Sequence, residues 1–343
     1  MLHGGTRKID VYTHVLPPGF YEAMLARTSV RDYMQKRLRG LPTLYELEAR
    51  FRLMDQFPGY VQVIALPLPP IESLADRGGS CELARLANDA LAELVDRYPK
   101  RFVGFVAALP MDDPEAAVRE GERAVTQLKA VGLQIFTDVE GQPLDSPQFL
   151  PVFELAAKRD VPVWLHPTRS PRRADYLTES RSKYDIWWAL GWPYETSICM
   201  ARLVFSGVFD RWPELKILTH HMGGMVPYFE GRVGWGLDQL GTRTDEPEDL
   251  VARARLKRRP LEYFRRFYAD TALYGSVAAV ECGVAFFGAQ RVLFGTDFPF
   301  DPQHGLLCIR ETVRAVENAT LSEREREMIF YENAVRLLRL RSV

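Results

Sequence analysis

Six histidines occur in the 343 residues of this chain, and four of them, His14, His166, His220 and His221, fall at the ends of short apolar runs. Asp297 falls at the end of another, in the stretch FGTDFP at 294–299. Imidazole nitrogens and a carboxylate are the usual donors to Zn and similar first-row ions. A carboxylate beside a cation also makes a proton shuttle, because the ion sets its pKa. Each residue has a plainer reading by itself. His14 alone looks like a core histidine, His166 precedes Pro167 and could simply close a strand, and Asp297 could cap the segment that follows. Neighbours on a strand point to opposite sides, so at most one of His220 and His221 is expected to face a shared site. Jointly the five point to metal-assisted acid–base chemistry, provided that the fold gathers their strand ends.

Eight parallel strands in one barrel would gather them. Strands are expected at 8–13, 60–66, 102–107, 132–137, 161–165, 216–219, 267–270 and 291–295. Most are continuous apolar runs, as in strands covered on both faces. Helical patterns lie between them at 44–56, 80–98, 113–131, 147–159, 193–212, 226–240 and 276–287, with a last one at 322–340. Pro42-Thr43 is a candidate cap for the first, and Asp112-Asp113-Pro114 a good start for the third. Eightfold alternation predicts an α/β fold, a (β/α)8 TIM barrel spanning 1–343 as one domain. The rival doubly wound sheet lacks its usual signature, since no GxGxxG or Walker loop follows a strand. Barrel active sites lie at the C-terminal strand ends, where these histidines and Asp297 would meet. Two segments leaving that side are too long for plain connections. They are 15–42, after strand one, and 167–193, after strand five, which carries Tyr176, Tyr184, Trp187, Trp188 and Trp192. Both read as lid or pocket wall, with a packing insert or oligomer contact as the alternative.

Charge narrows the partners. With 44 basic and 45 acidic residues the net charge is -1, so there is no electrostatic case for nucleic acid or an anionic membrane surface. The basic run at 253–259 reads as a solvated helix face. Hydrophobic residues at 47% and charged residues at 26% fit a globular chain with a large core. Cys81, Cys199, Cys282 and Cys308 form no CxxC pair, which argues against a disulfide framework or thiolate zinc site and for a reducing cytoplasm. The first fifteen residues lack the apolar core of a signal peptide, and no apolar run reaches bilayer length.

A family resemblance rests on pieces that run in order along nearly the whole chain. They are IDVYTHVLPP at 9–18, RFRLMD at 50–55, WLHP at 164–167, PYE at 193–195, MARL at 200–203, HMGGMVP at 221–227, GTDFP at 295–299 and Asn333-Ala334. The sequence resembles the amidohydrolase-2 branch of the amidohydrolase superfamily, the group of aminocarboxymuconate-semialdehyde decarboxylase and γ-resorcylate decarboxylase. That resemblance implies one divalent metal, Zn or Mn, held by His14, His166 and Asp297. It implies that His221 polarises a bound water or guides a proton, and that His220 is structural. Glu195 matches a pocket carboxylate position. Arg232, eleven residues after His221, resembles the arginine that semialdehyde decarboxylases lend across a dimer interface to a substrate carboxylate, in keeping with a homodimer or higher homo-oligomer. A surface helix residue is the alternative reading of Arg232. Arg169 is a second candidate carboxylate clamp, on chemistry alone. The family usually carries H-x-H on strand one, both histidines binding metal, whereas here Tyr12 stands first. Tyrosine is a poor Zn ligand unless it loses a proton, and its free pKa is about 10. Tyr12 is therefore expected to line the pocket, and a metal-free site is the alternative.

The leading expectation is non-oxidative decarboxylation of an aromatic or conjugated carboxylic acid. Asp297, or a water polarised by His221, would deliver a proton to the carbon bearing the carboxylate, with metal and arginine stabilising charge. The aromatic-rich stretch at 176–192, with Trp188 among its rings, suits a flat substrate. Hydrolysis or hydration of a lactone, amide or activated ring is the second expectation. A barrel that only binds a ligand is the third.

Overall fold

Continuous apolar runs separated by capped helices can bury both faces only by closing on themselves, and they do. The structure, a computed structural model, describes residues 7–27 and 33–340. Eight strands run parallel in chain order: β1 Lys8–His14, β2 Tyr60–Ala65, β3 Phe102–Ala108, β4 Gly132–Phe136, β5 Val163–His166, β6 Ile217–Thr219, β7 Tyr268–Asp270 and β8 Val292–Leu293. Backbone bonds close the ring. Val11 N–H donates to the Phe294 carbonyl (2.9 Å), Asp297 N–H to that of Tyr12 (3.1 Å) and His14 N–H to that of Phe298 (2.8 Å). This is the TIM barrel that the alternation predicts. His14 and His166 end β1 and β5, His220 and His221 follow β6, and Asp297 follows β8.

The helices depart from expectation where local chemistry overrides pattern. Helix Arg77–Arg97 starts before residue 80 because Asp76 caps it, accepting from Gly79 N–H at 2.9 Å. Asp113 caps Pro114–Thr126 as expected, accepting from Ala116 N–H at 3.0 Å. Pro42-Thr43 caps nothing. It opens a 3-10 turn, the Thr43 hydroxyl donates to the His304 carbonyl at 2.8 Å, and the helix begins at Leu47. The helix expected at 226–240 is replaced by turns, a π turn Arg232–Gly236 and a 3-10 turn Leu237–Gln239, because Gly234 leaves helical space at ψ -113. Helices Pro247–Arg255, Pro260–Phe264 and Leu306–Asn318 were not expected. The segment at 15–42 contains helices Pro18–Arg27 and Tyr33–Arg39. Residues 28–32 of that segment, and 1–6 and 341–343 at the ends of the expected domain, lie outside the described residues. Among the described residues no helix is long and apolar enough to cross a membrane.

Two cores result. One fills the space between the strands and the surrounding helices. The other fills the barrel, with Ile9, Val11, Val63, Ala65, Val106, Trp164, Leu218 and Leu293 pointing inward. Gly132 makes room for Trp164, whose ring atoms would lie 2.2 Å from any Cβ there. On β1 the alternation breaks, because the pairing with β2 shifts between Asp10 and Thr13 and Tyr12 joins Ile9 and Val11 inside. A bulge of this kind re-aims side chains near a site. It brings Tyr12 and then His14 to the mouth.

Arg50 secures that end of β1. It is fully buried, and it donates to the His14 carbonyl (2.6 Å), the Thr13 hydroxyl (3.1 Å), the Thr43 carbonyl (3.3 Å) and Gln62 Oε1 (2.8 Å). Burial lowers its pKa to about 10, so it stays charged at neutral pH. Lysine has no such fork. Replacing Arg50 with Ala strands these acceptors in a dry interior and should cost at least about 3 kcal/mol. Denaturant unfolding of Arg50→Ala and Arg50→Lys should show the loss, and unchanged stability would remove Arg50 from this role.

Candidate active site

Three imidazoles at the mouth share one design. His14 Nδ1 lies 3.0 Å from the Leu66 carbonyl, His166 Nδ1 2.7 Å from the Pro167 carbonyl and His220 Nδ1 2.6 Å from Asp270 Oδ2. A proton on each Nδ1 donates to its acceptor, which fixes the ring and leaves Nε2 as the atom that can bind an ion in place of a proton. This is the usual arrangement behind metal-ligating histidine. Among the described residues the buried Nε2 atoms of His14 and His220 make no well-formed hydrogen bond and have Asp297 as their charged neighbour. One donor atom from each of His14, His166, His220 and Asp297 lies within 4.8 Å of the others, and all four residues are buried. The donor set therefore fits a first-row divalent ion.

Asp297 is the hub. Oδ1 lies 3.2 Å from His14 Nε2 and 3.4 Å from His220 Nε2, and Oδ2 lies 3.6 Å from His221 Nε2. Tyr274 adds its hydroxyl 3.4 Å from Oδ2. Burial would raise the Asp297 carboxyl, but contacts with His14, His220 and His221 hold it well below the ordinary range. Burial opposes charge on His220 as well, yet Asp270 and Asp297 outweigh it and push its pKa up to about 9. His166 falls well below its usual value through burial, then repulsion from His220 and His14. His221 is lowered by burial, then by His220. Burial, then Asp270 and Asp297, raises Tyr12 well above its ordinary value, so it remains a neutral phenol.

The expectation that only one of His220 and His221 faces the site is overturned. β6 ends at Thr219, and His221 takes a left-handed backbone at φ 52. Strand alternation no longer applies, and both rings reach Asp297. Gly224, at φ 64, completes the turn against the Pro193 carbonyl, which would lie 2.3 Å from any Cβ. Asp297 itself sits at φ 61. Left-handed non-glycine residues cost about 1 kcal/mol or more and cluster at functional sites.

A cavity of about 580 Å³ opens over this cluster, lined by His166, Asp297 and Tyr274, with Trp187, Trp188, Trp192, Leu68, Met34 and Phe300 as apolar walls. Both long segments contribute to it, the first through Met34, Lys36 and Arg37 and the second through the three tryptophans. Trp188 lies where expected, but Tyr12 does not line the cavity, since it is fully buried among the residues that fill the barrel. Tyr176 and Tyr184 are exposed and do not line it. Arg169 and Glu195 do not line it either. They pair with each other at 2.5 Å, and Arg173 adds a second cation to Glu195 at 2.7 Å. Arg169 is thus occupied by an internal carboxylate and is not a free clamp. Arg232 is exposed on the π turn, outside the cavity wall. Sequence reasoning missed Asp270, Tyr274 and Arg37. Asp270 was accessible, as a carboxylate closing a predicted strand. Tyr274 and Arg37 sit on connecting segments with no spacing signal.

An amidohydrolase family model matches residues 9–340. A γ-resorcylate decarboxylase of Polaromonas sp. is 36% identical over 304 residues, covering 85% of this chain and 87% of that protein. The crystal structure of 5-carboxyvanillate decarboxylase from Sphingomonas paucimobilis superposes with a TM-score of 0.82 at 28% identity, covering 98% of this chain and 100% of the other. A dihydroxybenzoic acid decarboxylase from Polaromonas sp., solved with bound manganese and the inhibitor 2-nitroresorcinol, gives a TM-score of 0.77 at 30% identity, covering 99% and 98%. With the match spanning almost the whole barrel and the His–Asp cluster at its mouth, the chain belongs to the amidohydrolase family.

Proposed function

We propose that this chain is a metal-dependent, non-oxidative decarboxylase of an aromatic carboxylic acid. The observation that carries the reading is the placement of Asp297, which touches the histidine donors with one oxygen and His221 and Tyr274 with the other, on the wall of a tryptophan-lined cavity. The relatives named above are decarboxylases of aromatic acids, which supports it.

His14, His166 and Asp297 would hold the ion, and manganese in the dihydroxybenzoic acid enzyme favours Mn over Zn. When bound, it supplies Lewis-acid charge for the carboxylate and an adjoining oxygen of the substrate. The three tryptophans and Phe300 admit a flat ring and exclude water from it. Lys36 and Arg37 place positive charge at the rim, which draws in an anion. Asp297 rests ionised, so it becomes the acid after taking a proton by way of His221 Nε2, 3.6 Å away. Its lowered pKa then makes it a strong donor to the ring carbon that bears the carboxylate. Protonation breaks conjugation at that carbon. The electron pair of the C–C bond returns to the ring, and CO2 leaves. One proton enters and one CO2 departs, with no oxidant required. Arg232, exposed and outside the cavity wall, is placed where a second copy of the chain would have to bring it to a substrate if it serves as the carboxylate clamp of a homo-oligomer.

In D2O, turnover should place one deuterium on the ring carbon that bore the carboxylate for each CO2 released. Hydrolysis or hydration would release none. Asp297→Asn should lower kcat by about 10²–10⁴ in a variant that still folds, and an active, well-folded variant would defeat the role. Arg37→Ala should raise KM about tenfold and leave kcat nearly alone, the pattern of lost uniform binding. A steady-state assay that shows kcat falling instead would move Arg37 into the chemistry.

A further inference from the structure

Tyr12 and His220 are left out of the three-residue ligand set that the family resemblance implies, and they stand together. Their rings stack at 3.8 Å between centroids, only 13° from parallel. Both are fully buried, and among the described residues neither the Tyr12 hydroxyl nor His220 Nε2 makes a well-formed hydrogen bond, the latter having only the Asp297 Oδ1 contact at 3.4 Å. A buried polar nitrogen without a partner is costly unless something else uses it.

We propose that His220 is a metal ligand, so that the ion is held by His14, His166, His220 and Asp297, with Tyr12 serving as the packing surface that holds the His220 ring. The proposal rests on the reading that the barrel mouth binds a divalent ion. His220 has what a ligand needs. Its Nδ1 is tied to Asp270 at 2.6 Å. Asp270 cannot swing away, because its other oxygen accepts from the backbone N–H groups of His221 (3.1 Å) and Ala272 (3.0 Å). Nε2 therefore faces the donors of His14, His166 and Asp297 in a cluster no wider than 4.8 Å, close to the span that one first-row ion bridges. His221 differs on every count. Among the described residues its Nδ1 has no acceptor to fix the ring, its Nε2 lies 3.6 Å from the other oxygen of Asp297, and it is outside the four-donor cluster. The adjacent histidines thus divide the work, His220 binding the ion and His221 handling the proton. The strand-one position occupied by Tyr12 gives up coordination, and β6 restores it from across the barrel.

The test is binding of Mn²⁺ and Zn²⁺ by chelator competition, run on the wild type, His220→Ala, His220→Asn, Tyr12→Phe and His166→Ala. Pulsed EPR of the Cu²⁺-loaded wild type counts imidazole ligands without any mutation. The expected result is three imidazoles in the wild type. His220→Ala and His220→Asn should bind more weakly than wild type by more than the roughly 10–100-fold lost when only a ligand's outer partner is removed. Tyr12→Phe should stay within a few-fold of wild type. Two imidazoles in the wild type, or unaltered affinity in folded His220 variants, would overturn the proposal while leaving the metal site standing. A wild type that binds no ion, like His166→Ala, would overturn the metal reading as well. Should the His220 variants fail to fold, the EPR count alone decides.

Discussion

A carboxylate buried as deeply as Asp297, at 3% exposure, is stable only if its charge is answered. Removing the partners of a buried charge typically costs several kcal/mol. Here the answer comes from three imidazole edges supplied by β1 and the turn after β6, and that requirement organises the mouth. The carboxylate needs the histidines to remain ionised, and His220 needs Asp297 and Asp270 to accept its proton or an ion in place of it. A divalent cation held by these residues would satisfy both needs at once, because it would stand in place of the proton.

The surrounding fold serves to keep those few atoms in register. Arg50 fixes the end of β1 from outside the barrel, and Asp10 ties β1 to the segment after β8 by accepting from Thr296 N–H at 3.0 Å. The three donor histidines are each locked through Nδ1 by a carbonyl or carboxylate. Trp164 fills the barrel directly below, donating from its indole to the Val11 carbonyl at 3.1 Å. The filled floor, the locked rings and the walls supplied by two long segments together give a preorganised site rather than one assembled on binding.

Much of this was legible in the residues. Strands buried on both faces are written as unbroken apolar runs, so the barrel and the strand ends carrying His14, His166 and Asp297 could be read directly. What escaped was set by backbone conformation and by pairing across the fold. The left-handed turn at His221 voids strand alternation, so the sequence rule chose one histidine where the structure uses two. The Arg169–Glu195 pair joins residues 26 apart, and nothing local shows that they cancel each other. The stretch at 226–240 has helical periodicity, yet Gly234 breaks it. Arg37 and Tyr274 reach the cavity from connecting segments, where position depends on the whole barrel rather than on neighbouring residues.

The central claim is that a single ion at the barrel mouth is required for loss of CO2. The most direct check is elemental analysis of the purified protein before and after chelation, paired with CO2 release from hydroxybenzoic acids. The account predicts one divalent ion per chain, loss of turnover when it is stripped, and recovery with Mn²⁺ or Zn²⁺. Full CO2 release by metal-free protein would contradict it.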